Sequence, residues 1–122
     1  MAKKIKDFEG RTIVGMVERV YFKQDGKKGI LARIDTGATK SSIDINLAER
    51  LKLGPIISSK VIKSAHGSRL RPIVEAEIIL EGKTMKTEFS LADRSHMKYQ
   101  VLIGQNILKQ GFLIDPLLKV NE

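Results

Sequence analysis

The 122-residue chain contains no cysteine. That absence excludes disulfides, thiolate metal sites and a cysteine nucleophile, and it suits a reducing compartment. Tryptophan is missing as well and only 5% of residues are aromatic, so the rings that stack on bases in nucleic-acid-binding surfaces are scarce. The net charge of +8 therefore reads as a general attraction to acidic partners, and nucleic acid is not expected as the main ligand. Histidine is limited to His66 and His96, which stand far apart and outside any His-Glu-x-x-His helix, so no metal site is expected. A phosphate-cradling Gly-rich Lys motif is absent, and no cofactor is expected. The basic start "MAKKIKDFEGRTIVGMVERV" lacks an apolar stretch of signal-peptide length, and no apolar run is long enough to span a bilayer. The expectation is a cytoplasmic protein that does not enter a membrane.

What the chain does have is 42% apolar and 30% charged residues, enough for one globular domain, residues 1–122, with a modest core. Short β-like stretches dominate. "TIVGMVERVYF" (Thr12 to Phe22) is β-branched and aromatic, "QDGKKG" supplies an Asp-Gly turn, and "ILARI" (Ile30 to Ile34) returns as the second strand of a hairpin. "DINLAERLKLGP" spaces Leu47 and Leu51 one helical turn apart, with Asp44 or Asn46 as cap and Gly54-Pro55 as terminator. A second hairpin turns around His66-Gly67, and Val74, Ala76, Ile78 and Leu80 lie along its return strand. Met85, Thr87 and Phe89 then alternate at strand period. "YQVLI" (Tyr99 to Ile103) reads as a buried strand, "GQNILKQG" as two helical turns and "FLIDP" as a last strand. A small barrel or sandwich with short helices accommodates this order.

Chemistry centres on "RIDTGATKSSID". A lone Asp-Thr-Gly is weak evidence, since Asp and Gly are common in turns. Here, however, Asp35 follows an apolar strand, Thr36 adds a hydroxyl, and Gly37 permits unusual backbone angles or a close backbone approach. Far downstream, "VLIGQNIL" offers an apolar strand ending at Ile103, with Gly104 where crowding would exclude a side chain. Between them, "SAHGSRL" can fold over a substrate.

In this order the motifs resemble the retropepsin-like aspartic proteases. "VGMVERVYF", "ARIDTGATKSS", "SAHGSRLRPIV", "LADRSHMKYQVLIGQNIL" and "FLIDP" are similar to the prokaryotic retropepsin-like family labelled ATP-dependent zinc proteases and associated with RimK-type ligases. The resemblance spans residues 13 to 118. It implies an all-β fold, a closed retropepsin-like barrel with one or two short helices, and a homodimer. Asp35, Thr36 and Gly37 would be catalytic. Ala38, Ile103 and Gly104 would border the substrate, and Ala65, His66, Gly67 and Ser68 would form a flap over it. Viral members usually carry Arg after the downstream Gly; Gln105 stands there in this chain, so the corresponding ion pair cannot brace the loop.

An aspartic protease needs two carboxylates sharing a proton. Only Asp35 has the required setting, because Asp25 sits in a Lys-rich turn, Asp44 starts a helix, and Asp93 and Asp115 lack the Thr-Gly context. A twofold axis would supply the second carboxylate. The expected activity is therefore aspartic endopeptidase action on a peptide or protein, with acidic peptides favoured by the basic surplus. A non-catalytic peptide-binding module on the same fold is the alternative. Zinc chemistry is set aside for lack of ligands, His66 reads as a polar turn residue and His96 as a surface one, and Asp93 and Arg94 read as an ordinary ion pair.

Overall fold

The computed structural model describes residues 7–25 and 28–120. Ten strands and two short helices follow in the order β1 (Asp7–Phe8), β2 (Arg11–Val14), β3 (Val17–Phe22), β4 (Ile30–Ile34), β5 (Ser41–Asp44), α1 (Ile45–Arg50), β6 (Ile56–Ser64), β7 (Gly67–Leu80), β8 (Lys83–Ala92), β9 (Val101–Ile103), α2 (Gln105–Leu108) and β10 (Phe112–Ile114). The mostly-β reading with two helices holds. The expected Thr12 to Phe22 stretch is divided into β2 and β3, because Gly15 lies against the Leu118 carbonyl oxygen and its N–H donates to Glu18 Oε2 at 2.7 Å. β3 and β4 pair antiparallel; the Asp-Gly turn expected between them falls partly on Gly26 and Lys27, outside the described residues. The expected strand from Tyr99 is shorter, beginning at Val101.

The main sheet runs β3-β4-β9-β5-β8-β7-β6, and β3 also pairs with β7. Val20, Tyr21 and Phe22 face Leu80, Ile79 and Ile78 across that extra seam, which closes six strands into a ring and leaves β6 attached to β7 alone. Closure needs a filled interior. Val20, Phe22, Ile34, Val74, Ile78, Leu80, Phe89, Val101 and Ile103 supply part of it, all buried, and the Phe22 and Phe89 rings meet at 5.5 Å between centroids. The alternating residues Val74, Ala76, Ile78 and Leu80 all point inward, as do Met85, Thr87 and Phe89. A second sheet, β1-β2-β10, joins β2 and β10 in parallel.

Helix α1 begins where Asp44 caps it, its Oδ2 accepting from the Leu47 N–H at 3.2 Å, and it buries Leu47 and Ala48. Asp44 is 1% exposed, which commits its carboxylate to structure rather than to solvent chemistry. Among the described residues no helix is long and apolar enough to cross a membrane.

Candidate active site

Asp35 stands directly after β4, where the parallel pairing of β4 with β9 ends at Ile34 and Ile103. Its N–H donates to the Ile103 carbonyl at 2.9 Å, prolonging that ladder by one bond. The chain then turns sharply: the Gly37 N–H donates to Asp35 Oδ1 at 2.8 Å, and the Ala38 N–H donates to the Asp35 carbonyl at 3.3 Å. A carboxylate that accepts from the backbone two residues on is fixed in direction, and Asp35 is only half-buried. Gly37 is needed for space. It has no left-handed backbone angle, and a Cβ there would lie 3.2 Å from Asp35 Oδ1, pressing on the carboxylate.

The loop from Thr36 to Lys40 is held from beneath by the start of α2. Gln105 donates its side-chain amide to the Thr36 carbonyl at 2.8 Å and its N–H to the Ala38 carbonyl at 2.7 Å. Gly104 lets this happen: a Cβ on it would stand 2.6 Å from the Lys40 carbonyl oxygen and 2.7 Å from that of Ala38. The reading of Gly104 as a site of backbone crowding is thereby explained, and a neutral bond from Gln105 takes the place of the missing arginine brace.

One positioning residue was not singled out in the sequence. Asn106 Oδ1 accepts from the Ser41 N–H at 2.9 Å and the Ser41 hydroxyl at 2.7 Å, while its Nδ2 donates to the Glu88 carbonyl at 3.0 Å. Ser41 Oγ in turn accepts from the Gly104 N–H at 2.9 Å. These bonds tie β5, β8 and α2 together behind the loop. Its only local signal was its place directly after Gly104-Gln105.

β6 and β7 form a long antiparallel arm. Residues 67 to 72 of β7 pair with β6 alone, because the pairing of β7 with β8 begins at Ile73. Ala65 and His66 make the two-residue turn at its tip, and Gly67, with φ of 109°, and Ser68 open β7. All four are exposed. The wall nearer the acidic loop lies farther down the arm: a cleft of about 300 Å³ is bounded by residues 37–40 on one side and 60–63 on the other. Thus Asp35, Thr36, Gly37, Ala38, Ile103 and Gly104 come together, while the four tip residues occupy the end of the arm. On its other side Asp35 shares a hollow of about 450 Å³ with Thr36, Ile114 and Pro116.

Asp93 and Arg94 do not pair with each other, contrary to the sequence reading. Adjacent side chains at the end of β8 turn to different partners: Asp93 Oδ1 accepts from the Ser95 hydroxyl and N–H, which hold its carboxyl below the usual range. Arg94 donates its N–H to Asp44 Oδ1 at 2.8 Å and its Nε–H to the Tyr99 carbonyl at 3.1 Å. Burial lowers the pKa of Arg94, and the Asp35 carboxylate opposes that shift, so the guanidinium lies within the electrostatic reach of Asp35. His66 and His96 are exposed, and among the described residues no group of three His, Cys, Asp or Glu is placed to hold a metal ion.

A closed β ring, an Asp-Thr-Gly loop at a strand end and a Gly-led helix bracing it define a retropepsin-like lobe. The chain belongs to the RimB-like family, described as retropepsin-like aspartic endopeptidase RimB, whose model matches residues 46–121. The Asp35 loop precedes that span. Among solved structures, the EIAV protease in complex with an inhibitor aligns with a TM-score of 0.64 at 22% identity, over 88% of this chain and 93% of that one. A Legionella pneumophila protein of unknown function aligns with a TM-score of 0.64 at 22% identity, over 89% and 96%. At that identity the likeness concerns the fold. A protein of Desulfotalea psychrophila named "Probable alpha-L-glutamate ligase" is 26% identical over 134 residues, covering 89% of this chain. One of the same name from Shewanella pealeana is 29% identical over 133 residues, covering 88%. The chain spans 29% of the length of each of these curated relatives.

Proposed function

We propose that the protein is an aspartic endopeptidase, a single domain whose dyad forms when two copies place their Asp35 side chains together across a twofold axis. The observation that carries this reading is the Asp35 carboxylate itself. It is half-exposed at a strand end, aimed by the Gly37 N–H and mounted on a loop braced by Gln105. A turn residue serving structure alone has no use for that support. Dimerisation is favoured by β10, which pairs with β2 only and is an edge of its sheet. Its last residue, Ile114, and Pro116 just beyond it border the hollow that Asp35 opens into. Isologous pairing of such an edge brings identical groups together near the axis.

In the resulting site, the charged carboxylate of the dyad takes a proton from water, whose oxygen attacks the peptide carbonyl carbon. The other carboxylic acid donates its proton to the carbonyl oxygen. The tetrahedral adduct collapses when the first carboxyl group passes the proton it took from water to the nitrogen, the second takes back a hydroxyl proton of the adduct, and the C–N bond breaks to release amine and acid. Thr36 braces the paired loops, Gly37 and Ala38 leave room for the substrate backbone with Ile103 and Gly104 behind them, and residues Ala65 to Ser68 cover the substrate as a flap. The unpaired side of β6 offers backbone groups to an extended peptide.

The relatives named for glutamate ligation make glutamate-rich peptides a reasonable substrate class, in keeping with the net charge of +8. A peptide-library digest with the parent protein and Asp35→Asn, read by mass spectrometry, tests the proposal. Cleavage by the parent and none by a folded mutant is the expected result. Equal cleavage by both removes Asp35 from the mechanism, and binding without cleavage by either favours the peptide-binding alternative.

A further inference from the structure

The cleft between the acidic loop and the arm carries an excess of one charge. Lys40, Lys60 and Lys63 all line it. Lys60 is neutralised by Glu88, with Nζ 2.9 Å from Oε1. Among the described residues neither Lys40 nor Lys63 has a carboxylate within 4 Å; the ion pairs formed are Lys23 with Glu77, Lys60 with Glu88 and Lys86 with Glu75. Three ammonium groups thus line one cleft, and a single carboxylate, that of Glu88, is paired among them. Like charges held together in a partly enclosed space repel, and an incoming anion relieves that repulsion. Lys40 is half-buried, which spares its charge part of the solvent screening felt by a fully exposed pair.

The position of this charge matters more than its size. Lys40 belongs to the loop that begins at Asp35, five residues on, and its carbonyl packs on Gly104. Lys60 and Lys63 belong to β6, an edge strand that walls the same cleft. A peptide extended along β6 toward Asp35 must lay a side chain into this space. Apart from Thr39, the remaining lining is apolar or small, with Gly37, Ala38, Val61 and Ile62, which suits the methylene stem of an acidic side chain.

We propose that Lys40, flanked by Lys60 and Lys63, forms a specificity subsite that takes an acidic side chain of the peptide substrate next to the scissile bond. In a twofold dimer the subsite is present twice, so carboxylates are read on both sides of the bond. The proposal rests on Asp35 as the catalytic group, yet its test separates the two.

Matched peptides carrying Glu, Gln or Lys at each position flanking the cleaved bond are compared by kcat/KM with the parent protein, Lys40→Met and Lys40→Glu. The parent is expected to favour Glu over Gln by about tenfold at one or more positions, the effect of one partly desolvated ion pair. Lys40→Met loses most of that preference, and Lys40→Glu shifts it toward Lys. A parent indifferent to Glu and Gln, or a Lys40→Met protein with the preference intact, overturns the subsite. Fluorescence anisotropy of the same peptides on Asp35→Asn, with and without Lys40→Met, measures selection without chemistry. Selective binding there in the absence of any cleavage by the parent upholds the subsite while refuting the peptidase, and equal binding of Glu and Gln peptides refutes the subsite alone.

Discussion

The side-chain amide of Gln105 donates to the carbonyl of Thr36 at 2.8 Å, joining the first residue of α2 to the second residue of the acidic loop by an uncharged bond. Removing it leaves the loop attached through backbone bonds only. Gln105→Ala is expected to cost about 1 kcal/mol of stability and to slow cleavage by about fivefold at most. Gln105→Glu should be worse, since a carboxylate faces a carbonyl that needs a donor. Chemical denaturation and kcat/KM for both variants check this, and Glu performing as well as Gln would show that the bond does not position the loop.

Gly104 is the contact on which loop and helix close. Because an added Cβ meets two carbonyl oxygens of the 38–40 loop at 2.6 and 2.7 Å, and neither is the end of a flexible side chain, Gly104→Ala must displace backbone. A loss of about 3 kcal/mol is expected, visible as a lower Tm. The same change at Gly82, where nothing lies within 4 Å but φ is 76°, should cost about 1 kcal/mol from backbone strain alone. Equal effects at the two sites would argue against crowding at Gly104.

Two carboxylates side by side cannot both ionise, so the proposed dyad works while it holds one shared proton. The cleavage rate is therefore expected to peak in mildly acidic solution and to decline toward alkaline pH as that proton leaves. Specific activity should also fall on dilution, as pairs dissociate. A rate that climbs steadily into alkaline solution, or one indifferent to protein concentration, would contradict an intermolecular dyad.

The ring and the acidic loop were legible in the sequence where one residue type answers one local demand. Val74, Ala76, Ile78 and Leu80 had to alternate because β7 buries one face along that length, and Gly104 had to be small because a backbone crosses it. The division of the Thr12 to Phe22 run was hidden, since it depends on Leu118 reaching Gly15 from the far end of the chain. Asn106 was hidden for the same reason. Its partners Ser41 and Glu88 are 65 and 18 residues away, and an Asn in a short helix gives no hint of them. The shared lining of one cleft by Lys40, Lys60 and Lys63 likewise exists only after the arm folds back toward the loop.

The seam of three residue pairs between β3 and β7 has a consequence beyond holding the core. By sealing the ring it removes the open backbone that invites neighbouring molecules to stack on as extra strands. Among the described residues, the borders left unsealed are β1, only two residues long, β6 and β10. The chain thus keeps its adhesive surface small, and two of the three exposed borders lie beside the acidic loop.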